Sequence, residues 1–477
     1  MEKIVIIGAG VAGVNAATKL VDNGYDGSKI TIIDMGNDPY NRKPEEVMTG
    51  FMGAGGWSDG KLTYHTSIGG HMSKYCGDEQ AMELMDEVIT NFKRFHPKPE
   101  EVQCSNPVAE PDFIKPYFGL RLFPVWHVGT DYLHEIGKNW YDYLVSKGIK
   151  FYWNKKVTEV DFANNKAISK YDGGILSLPY DRLIFAVGKS GIDFGKYLIE
   201  ENDQPTEPKP VQIGVRFEAP QKHFQKLIDV SYDFKLYRKF EDKGVSLRSF
   251  CTNNNAAYVA LEETYGDYSY NGHAKKDESY RNDMTNFGIL MEVRGIDKPF
   301  DWSRELVSKV NKSDIVGGEG GGNKKAIGRH QAKYKAGLYY SPSGKDKTFT
   351  SEGDWVKAHY IGEEGLQDVR DAFKGYFTYI EDFIEDMKKV FPTLKDDWGM
   401  YIPEVKYLSP EPLVHYGDLS LKNVPNVHFV GDALSARGIT VSGAQGTYVA
   451  DAILTKNDMN PKYFHLADAN YIGGLTV

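Results

Sequence analysis

Gly8, Gly10 and Gly13 stand in G-x-G-x-x-G spacing near the start of the chain. Missing side chains at these intervals permit a tight turn, the approach of a pyrophosphate to bare backbone, and close helix–strand packing. Asp34 follows Gly13 by 21 residues, where an acid can hydrogen-bond ribose hydroxyls. The pattern predicts a dinucleotide site. Other groups able to do chemistry are scattered: Lys61, Tyr64, His65, His71, His127 and His273, with Arg216 and Arg248 in strand-like runs. Histidine titrates near neutrality and suits a proton carrier. A partly buried arginine needs an anion, which is a substrate carboxylate, a phosphate or a structural acid.

Local elements must position these groups. "KIVII" (3–7) is an apolar, β-branched run that suits a buried parallel strand. "VAGVNAATKLVDNG" then has helical spacing and a stop at Asn23-Gly24, and "KITIIDMG" is a second buried strand. Strand, glycine turn, helix and strand make a βαβ unit with Asp34 at its end. Near the other terminus, "NVHFV" (426–430) runs into Gly431-Asp432, and a helix is expected from about Gly443. There Asp432 can accept hydrogen bonds from a polyol, and amides at 442–446 can stabilise negative charge.

Between these ends, residues 36–150 are irregular, with helices expected at "DEQAMELMDEVITNFKRF" and near "TDYLHEIGKNWYDYLVSKG". A β-meander is expected from residue 149, followed by the strand "YDRLIFAVGKSG". From about 205 to 400 the chain has aromatic-rich strands, charged helices and a glycine run at 317–322 that reads as a loop.

The carboxy-terminal block resembles the second FAD signature of the glutathione-reductase-type flavoproteins, and "FAVGKSG" (185–191) resembles a third mark of that fold. "GAGGWSDGKLT" (53–63) resembles the Gly-Ala-Gly…Ser-Asp-Gly-Lys-Leu block of a broad family of FAD-dependent dehydrogenases. "HVGTDYL", "IGVRFE", "RSFC" and "YNGHA" are similar to other blocks of that family and keep their order. Two blocks depart from it: "TNNNAAYV" follows "RSFC" where relatives have Cys-Pro-Gly-Gly, and "GDALSARG" replaces Gly-Glu-Gly-Ala-Gly-Tyr.

The resemblance implies an α/β fold: a Rossmann-like FAD-binding domain, with a parallel sheet and a β-meander, interrupted by an inserted α+β substrate domain. Its expected bounds are 1–204 (with a helical insertion about 36–150), 205–400 for the substrate or cap domain, 401–455 for the returning part and 456–477 for a tail. It implies FAD as cofactor, held by Gly8, Gly10, Ala12, Gly13, Asp34, Gly55, Gly56, Ser58, Gly188, Gly431, Asp432, Gly443, Ala444 and Gln445. Lys61, His65, His127, Arg216 and His273 are the expected catalytic groups, and no metal is expected. The implied activity is an FAD-dependent oxidoreductase in which a C–H beside nitrogen or oxygen, or a C–C bond, exchanges hydride with flavin N5. O₂ or an external redox partner would reset the flavin. Two alternatives stand beside it: a flavin-dependent lyase or modifying enzyme acting on an amino-acid-modified nucleic-acid base, as in some phage-encoded flavoproteins resembling this family, and a non-catalytic FAD-binding structural or sensor protein.

Composition narrows the partners. The formal net charge of −9 disfavours wholesale binding to nucleic acid or anionic membrane. A basic, tyrosine-rich stretch at 323–347 leaves a polymer-linked substrate open, although a solvated loop is the plainer reading. Cys76, Cys104 and Cys251 form no C-x-x-C pair, which excludes a dithiol centre and fits a reducing, cytoplasmic setting. No second strand–G-x-G-x-x-G–helix unit is present to hold NAD(P)H. No apolar run reaches the length of a membrane span.

Overall fold

The computed structural model describes residues 1–43, 46–108, 111–264, 266–275, 277–311, 337–344, 359–408 and 410–457. The glycine run at 317–322, most of 323–347 and the tail beyond 457 lie outside the described residues. The chain forms two compact units, one of Met1–Cys104, Pro124–Pro208 and Ser409–Val477, the other of Ser105–Phe123 and Lys209–Leu408.

The first unit is built on a five-stranded parallel sheet in the order Val427–Phe429, Arg182–Phe185, Ile4–Ile7, Ile30–Ile33, Lys150–Tyr152. All four residues of Ile4–Ile7 are buried, as a strand covered on both faces requires. The meander follows as Glu159–Asp161, Lys166–Tyr171 and Gly174–Pro179. This is the Rossmann-like α/β fold that the sequence implies. The amino-terminal helix Val11–Asp22 lies against the carboxy-terminal helix Ile439–Lys456, which also packs on the helix Ser73–Phe95. Small residues set that spacing: a Cβ at Gly446 would collide with the carbonyl of Ala12, and one at Gly443 would stand 2.7 Å from Val88 Cγ2.

The second unit carries an eight-stranded sheet in the order His359–Tyr360, Leu338–Tyr340, Gly399–Lys406, Val211–Pro220, Met284–Val293, Val245–Asn253, Lys235–Phe240, Gly119–Arg121. Alternation along its central strands gives two unlike faces. Val215 and Phe217, with Phe287 and Ile289, make the apolar face, and the helix Phe377–Val390 packs on this sheet. Arg216, Asn286 and Gly288 lie on the opposite face, part of which is covered by the hairpin of Ala257–Thr264 and Asp267–Ala274. Residues 105–123, expected inside the first domain, instead belong here, because Gly119–Arg121 pairs with Lys235–Phe240. The unit also runs past residue 400 to Leu408, because Gly399–Lys406 is an interior strand of its sheet.

Three charged groups meet inside the first unit. Lys19 Nζ lies 2.7 Å from Glu87 Oε1 and 3.3 Å from Asp451 Oδ1. Burial raises the Asp451 carboxyl to about 7; Glu87 adds to the rise and Lys19 opposes it. The folded protein therefore holds this proton more tightly than the unfolded chain, whose aspartates titrate near ~4. Stability from this group should be lost as pH rises from about 4 to about 7. Asp451→Asn removes that loss, so thermal melts should show the variant gaining roughly 2–3 kcal/mol on wild type between pH 5 and pH 8.

Candidate functional site

The three glycines of the first turn do different work. Gly8 has a φ of +104°, and a Cβ there would collide with the carbonyl of Ala186. A Cβ at Gly13 would collide with the carbonyl of Gly8, so that glycine is set by helix–strand packing. Gly10 is the exception: its nearest neighbour to a Cβ is Ala186 O at 4.0 Å. Open space in front of Gly10 is what an approaching pyrophosphate needs. The helix that begins at Val11 has no side-chain cap, so its first amides keep their capacity to bind an anion.

Asp34, expected at the ribose, is bound by backbone amides of the fold. Its Oδ2 accepts the N–H of Ala9 at 2.8 Å, and Oδ1 accepts those of Gly36 and Gly50, both at 2.8 Å. The carboxylate ties the glycine turn to the loop that follows the second strand.

That loop delivers the segment 51–71 onto the turn. Met52 N–H donates to Ala9 O at 2.7 Å, and Met52 bridges to Gly10. Arg42 clamps the loop by donating to the carbonyls of Glu46, Val47, Phe51 and Gly53. Burial lowers its guanidinium to about 10, against the pull of Asp34 and Glu46. Gly55 lies between two helix starts, since a Cβ there would press on Val11 and stand 3.9 Å from Ile439 Cγ1. Gly56 leaves room for Arg42, whose Nη1 would be 2.6 Å from a Cβ. Ser58, expected at the cofactor, shapes the turn: its hydroxyl donates to Gly55 O and accepts Gly60 N–H.

The blocks "SDGKL" and "HVGT" are far apart in sequence and lie against each other. Strand Lys61–Thr63 pairs with Val125–His127, which sets Lys61 opposite His127. Gly60 crosses Gly129 so closely that a Cβ would come within 2.8 Å of its backbone. Asp59 serves both chemical groups: its Oδ2 is 3.0 Å from Lys61 Nζ, and its carbonyl is 2.8 Å from His127 Nε2. Because a carbonyl only accepts, His127 Nε2 carries a proton. His65 is not part of this pair; its Nδ1 accepts the N–H of Ser67 at 3.1 Å.

The carboxy-terminal helix starts earlier than expected, at Ile439 with Gly438 as N-cap. Gly443 and Ala444 therefore lie more than a turn inside it, buried in helix packing rather than at its open end. Gln445 is buried too, and its Oε1 accepts Gly431 N–H at 2.8 Å. Gly431 takes a φ of +70°. Asp432 pairs with Arg437, Oδ1 to Nε at 2.9 Å. Gly69 reaches the same place, its carbonyl accepting Arg437 N–H, with a Cβ leaving only 3.2 Å to Gly438 Cα. At this helix start Thr440 is buried, and its hydroxyl has no hydrogen-bond partner among the described residues. Trp57 Nε1 is likewise buried and unpartnered among them. Arg437, Gly438, Thr440 and Trp57 escaped the sequence reading; only the position of the helix start would have revealed the first three.

These observations fit FAD. Open backbone at Gly10 and the uncapped amides from Val11, Ala12 and Gly13 suit its pyrophosphate. Thr440 and the amides from Ile439 suit an electron-rich ring edge. A Cβ at Gly188, whose φ is +63°, would meet nothing within 4 Å, which leaves that turn open.

The second unit holds the other two candidates. Arg216 is fully buried and does not offer its charge to a substrate, because every face of its guanidinium is occupied. It pairs with Glu404 at 3.3 Å and donates to Asn286 Oδ1 and to the carbonyls of Phe250 and Cys251. His273 is buried on the hairpin and stacks on Tyr258 at 5.2 Å. No group of three or more His, Cys, Asp or Glu residues that could hold a metal occurs among the described residues.

Residues 2–204 match the family model of the pyridine nucleotide-disulphide oxidoreductases. No curated protein matches the sequence. Among solved structures, the chain is similar to glycine oxidase from Bacillus cereus ATCC 14579, at 13% identity, 96% coverage of each chain and a TM-score of 0.39. It is similar to L-proline dehydrogenase from P. horikoshii at 12% identity, covering 95% of this chain and 93% of that one, with a TM-score of 0.39. CtdE in complex with FAD gives 10% identity, 96% and 90% coverage and a TM-score of 0.35. Likeness at this level transfers no substrate or reaction. No helix among the described residues is long and apolar enough to cross a membrane.

The glycines can be separated by experiment. Gly10→Ala should fold normally, by circular dichroism, yet lose FAD, whereas Gly8→Ala and Gly13→Ala should lose fold and FAD together. Thr440→Val should fold and weaken FAD binding about fivefold to tenfold, read by fluorescence titration of the released cofactor.

Proposed function

We propose that the chain, whose residues 2–204 match the family model of the pyridine nucleotide-disulphide oxidoreductases, is an FAD enzyme that oxidises or reduces a C–H/C–N or C–C bond of a small substrate. One observation carries the reading: the first residues of two uncapped helices, Val11 and Ile439, meet across Gly55. Uncapped helix starts on either side of Gly55 suit a cofactor with an anionic middle and a ring that gains negative charge on reduction. FAD, when bound, supplies the hydride chemistry, and the protein supplies orientation and charge.

Lys61 and His127 are proposed to hold and move the substrate proton. Asp59 fixes them as a pair, holding Lys61 through its carboxylate and placing a proton on His127 Nε2 through its carbonyl. Arg216 supports the second unit rather than the reaction. The disulphide chemistry in the family's description has no counterpart here, since Cys76, Cys104 and Cys251 are free thiols without a C-x-x-C pair. Resetting the flavin is accordingly assigned to O₂ or an external redox partner. A polymer-linked substrate rested on residues 323–347, most of which lie outside the described residues.

The test is the visible spectrum of the purified, FAD-loaded protein, followed anaerobically on adding amines, hydroxy acids and unsaturated acids, with and without DNA. Flavin bands that bleach with one class, without need of DNA, are expected. Lys61→Met should keep the oxidised spectrum and slow the bleaching about 100-fold. A protein that takes up FAD but bleaches with nothing in the panel would leave only the binding role, and one that cannot take up FAD would overturn the reading entirely.

A further inference from the structure

Two stretches of the second unit that are far apart in sequence meet around one imidazole. His223 closes the single turn Gln221–His223, and Thr393 and Asp397 lie in the link between the helix Phe377–Val390 and the strand Gly399–Lys406. Apolar anchors fix both stretches: Phe224 and Leu394 are fully buried, and the rings of Phe224 and Phe391 stand 4.8 Å apart. Two successive turns, Leu394 N–H to Phe391 O at 2.9 Å and Asp397 N–H to Leu394 O at 2.8 Å, then bring both polar side chains of the link to the ring. His223 Nδ1 lies 3.0 Å from Thr393 Oγ1, and Nε2 lies 3.0 Å from Asp397 Oδ2.

A histidine between two polar side chains ordinarily just ties loops together. Here the imidazole is buried while Thr393 is exposed, so a reagent can reach the residue whose hydroxyl the ring holds. An ionised carboxylate only accepts, so Asp397 places a proton on Nε2. In the neutral ring Nδ1 then accepts the Thr393 hydroxyl, which is the alignment a base needs to take that proton. Lys222 Nζ also approaches Asp397 Oδ2, at 3.7 Å, and the bond from the ring is the shorter of the two. Hydroxyl, imidazole and carboxylate in hydrogen-bond sequence form the arrangement that activates an alcohol as a nucleophile, and it is defined by geometry and roles rather than by position in a chain. The flavin chemistry uses none of the three residues.

We propose that Thr393 is a self-acylation site of the second unit, taking the acyl group of an activated ester, with His223 as its base and Asp397 as the positioning residue for that base. Thr393 Oγ1 attacks the acyl carbonyl, and its proton passes to His223 Nδ1 and on to the departing alkoxide or aryloxide. The acyl C–O bond of the donor breaks as the Thr393 ester forms, so the exchange needs no oxidant or reductant. The site stands on the second unit alone and goes beyond the oxidoreductase reading.

Treating the full FAD-loaded chain with p-nitrophenyl acetate, and locating the acetyl groups by peptide mass spectrometry, tests it. Thr378 is the internal comparison: it is exposed in the same unit, but its hydroxyl donates to the carbonyl of Gly375 at 2.9 Å rather than to an imidazole. Thr393 should be acetylated about 100-fold faster than Thr378, and His223→Gln should remove most of that advantage. Asp397→Asn should slow the reaction about tenfold or more. Thr393→Ser should keep the acetyl group at this position and Thr393→Val should lose it, while surface lysines react alike in every variant. A purely structural imidazole would shift the melting temperature of His223→Gln and leave the ratio of the two threonines unmoved. Thr393 labelled no faster than Thr378 in the wild-type protein overturns the proposal whether or not any variant folds. Undiminished labelling of Thr393 in folded His223→Gln overturns it too. Flavin bleaching plays no part in this readout, so failure here leaves the oxidoreductase reading standing.

Discussion

The Asp34 carboxylate is the anchor on which the ligand end of the first unit depends. It collects the N–H groups of Ala9, Gly36 and Gly50, and hydrogen bonds to a charged acceptor contribute roughly 1.5–3 kcal/mol each. These bonds join the glycine turn, the end of the second strand and the start of the loop that returns over the turn. Once Gly50 is held there, Met52 reaches Ala9 and Gly55 reaches Val11. The cradle at Gly10 is therefore shaped by a side chain that sequence pattern alone assigns to the ligand.

The second constraint is the distance between the first and last helices. Gly443 and Gly446 remove side chains from the face that meets Ala12, Asn15 and Val88, so the helices approach at backbone range. Close approach at that level lays the start of the first helix against the second turn of the last one, and Gly55 lies between Val11 and Ile439. Thr440, buried without a partner among the described residues, adds a hydroxyl at the start of the last helix.

Within the second unit, alternation on the sheet separates an apolar face from a polar one. Its apolar face carries the core. The opposite face carries a covered polar network around Arg216, where Gly272 leaves space for the guanidinium, and the buried charge there is neutralised within the unit by Glu404.

The βαβ unit, the dinucleotide cradle and the meander were legible in the sequence because each rests on local rules: apolar runs for buried strands, helical spacing, and glycine where backbone must pass closely. The partners that Asp34, Ser58, Asp432 and Gln445 have within the fold were not legible. A carboxylate, hydroxyl or amide at a motif position looks the same whether it meets a ligand or its own backbone. Only tertiary structure showed that Asp34 holds amides, that Ser58 closes a turn, that Asp432 pairs with Arg437 and that Gln445 holds Gly431. The same reason placed residues 105–123 in the second unit, because strand pairing across a long loop leaves no local trace. It also joined Lys61 to His127 through Asp59. Sequence determined which elements form and where backbone must stay bare; the meeting of distant elements decided which polar groups are consumed by the fold and which remain for chemistry.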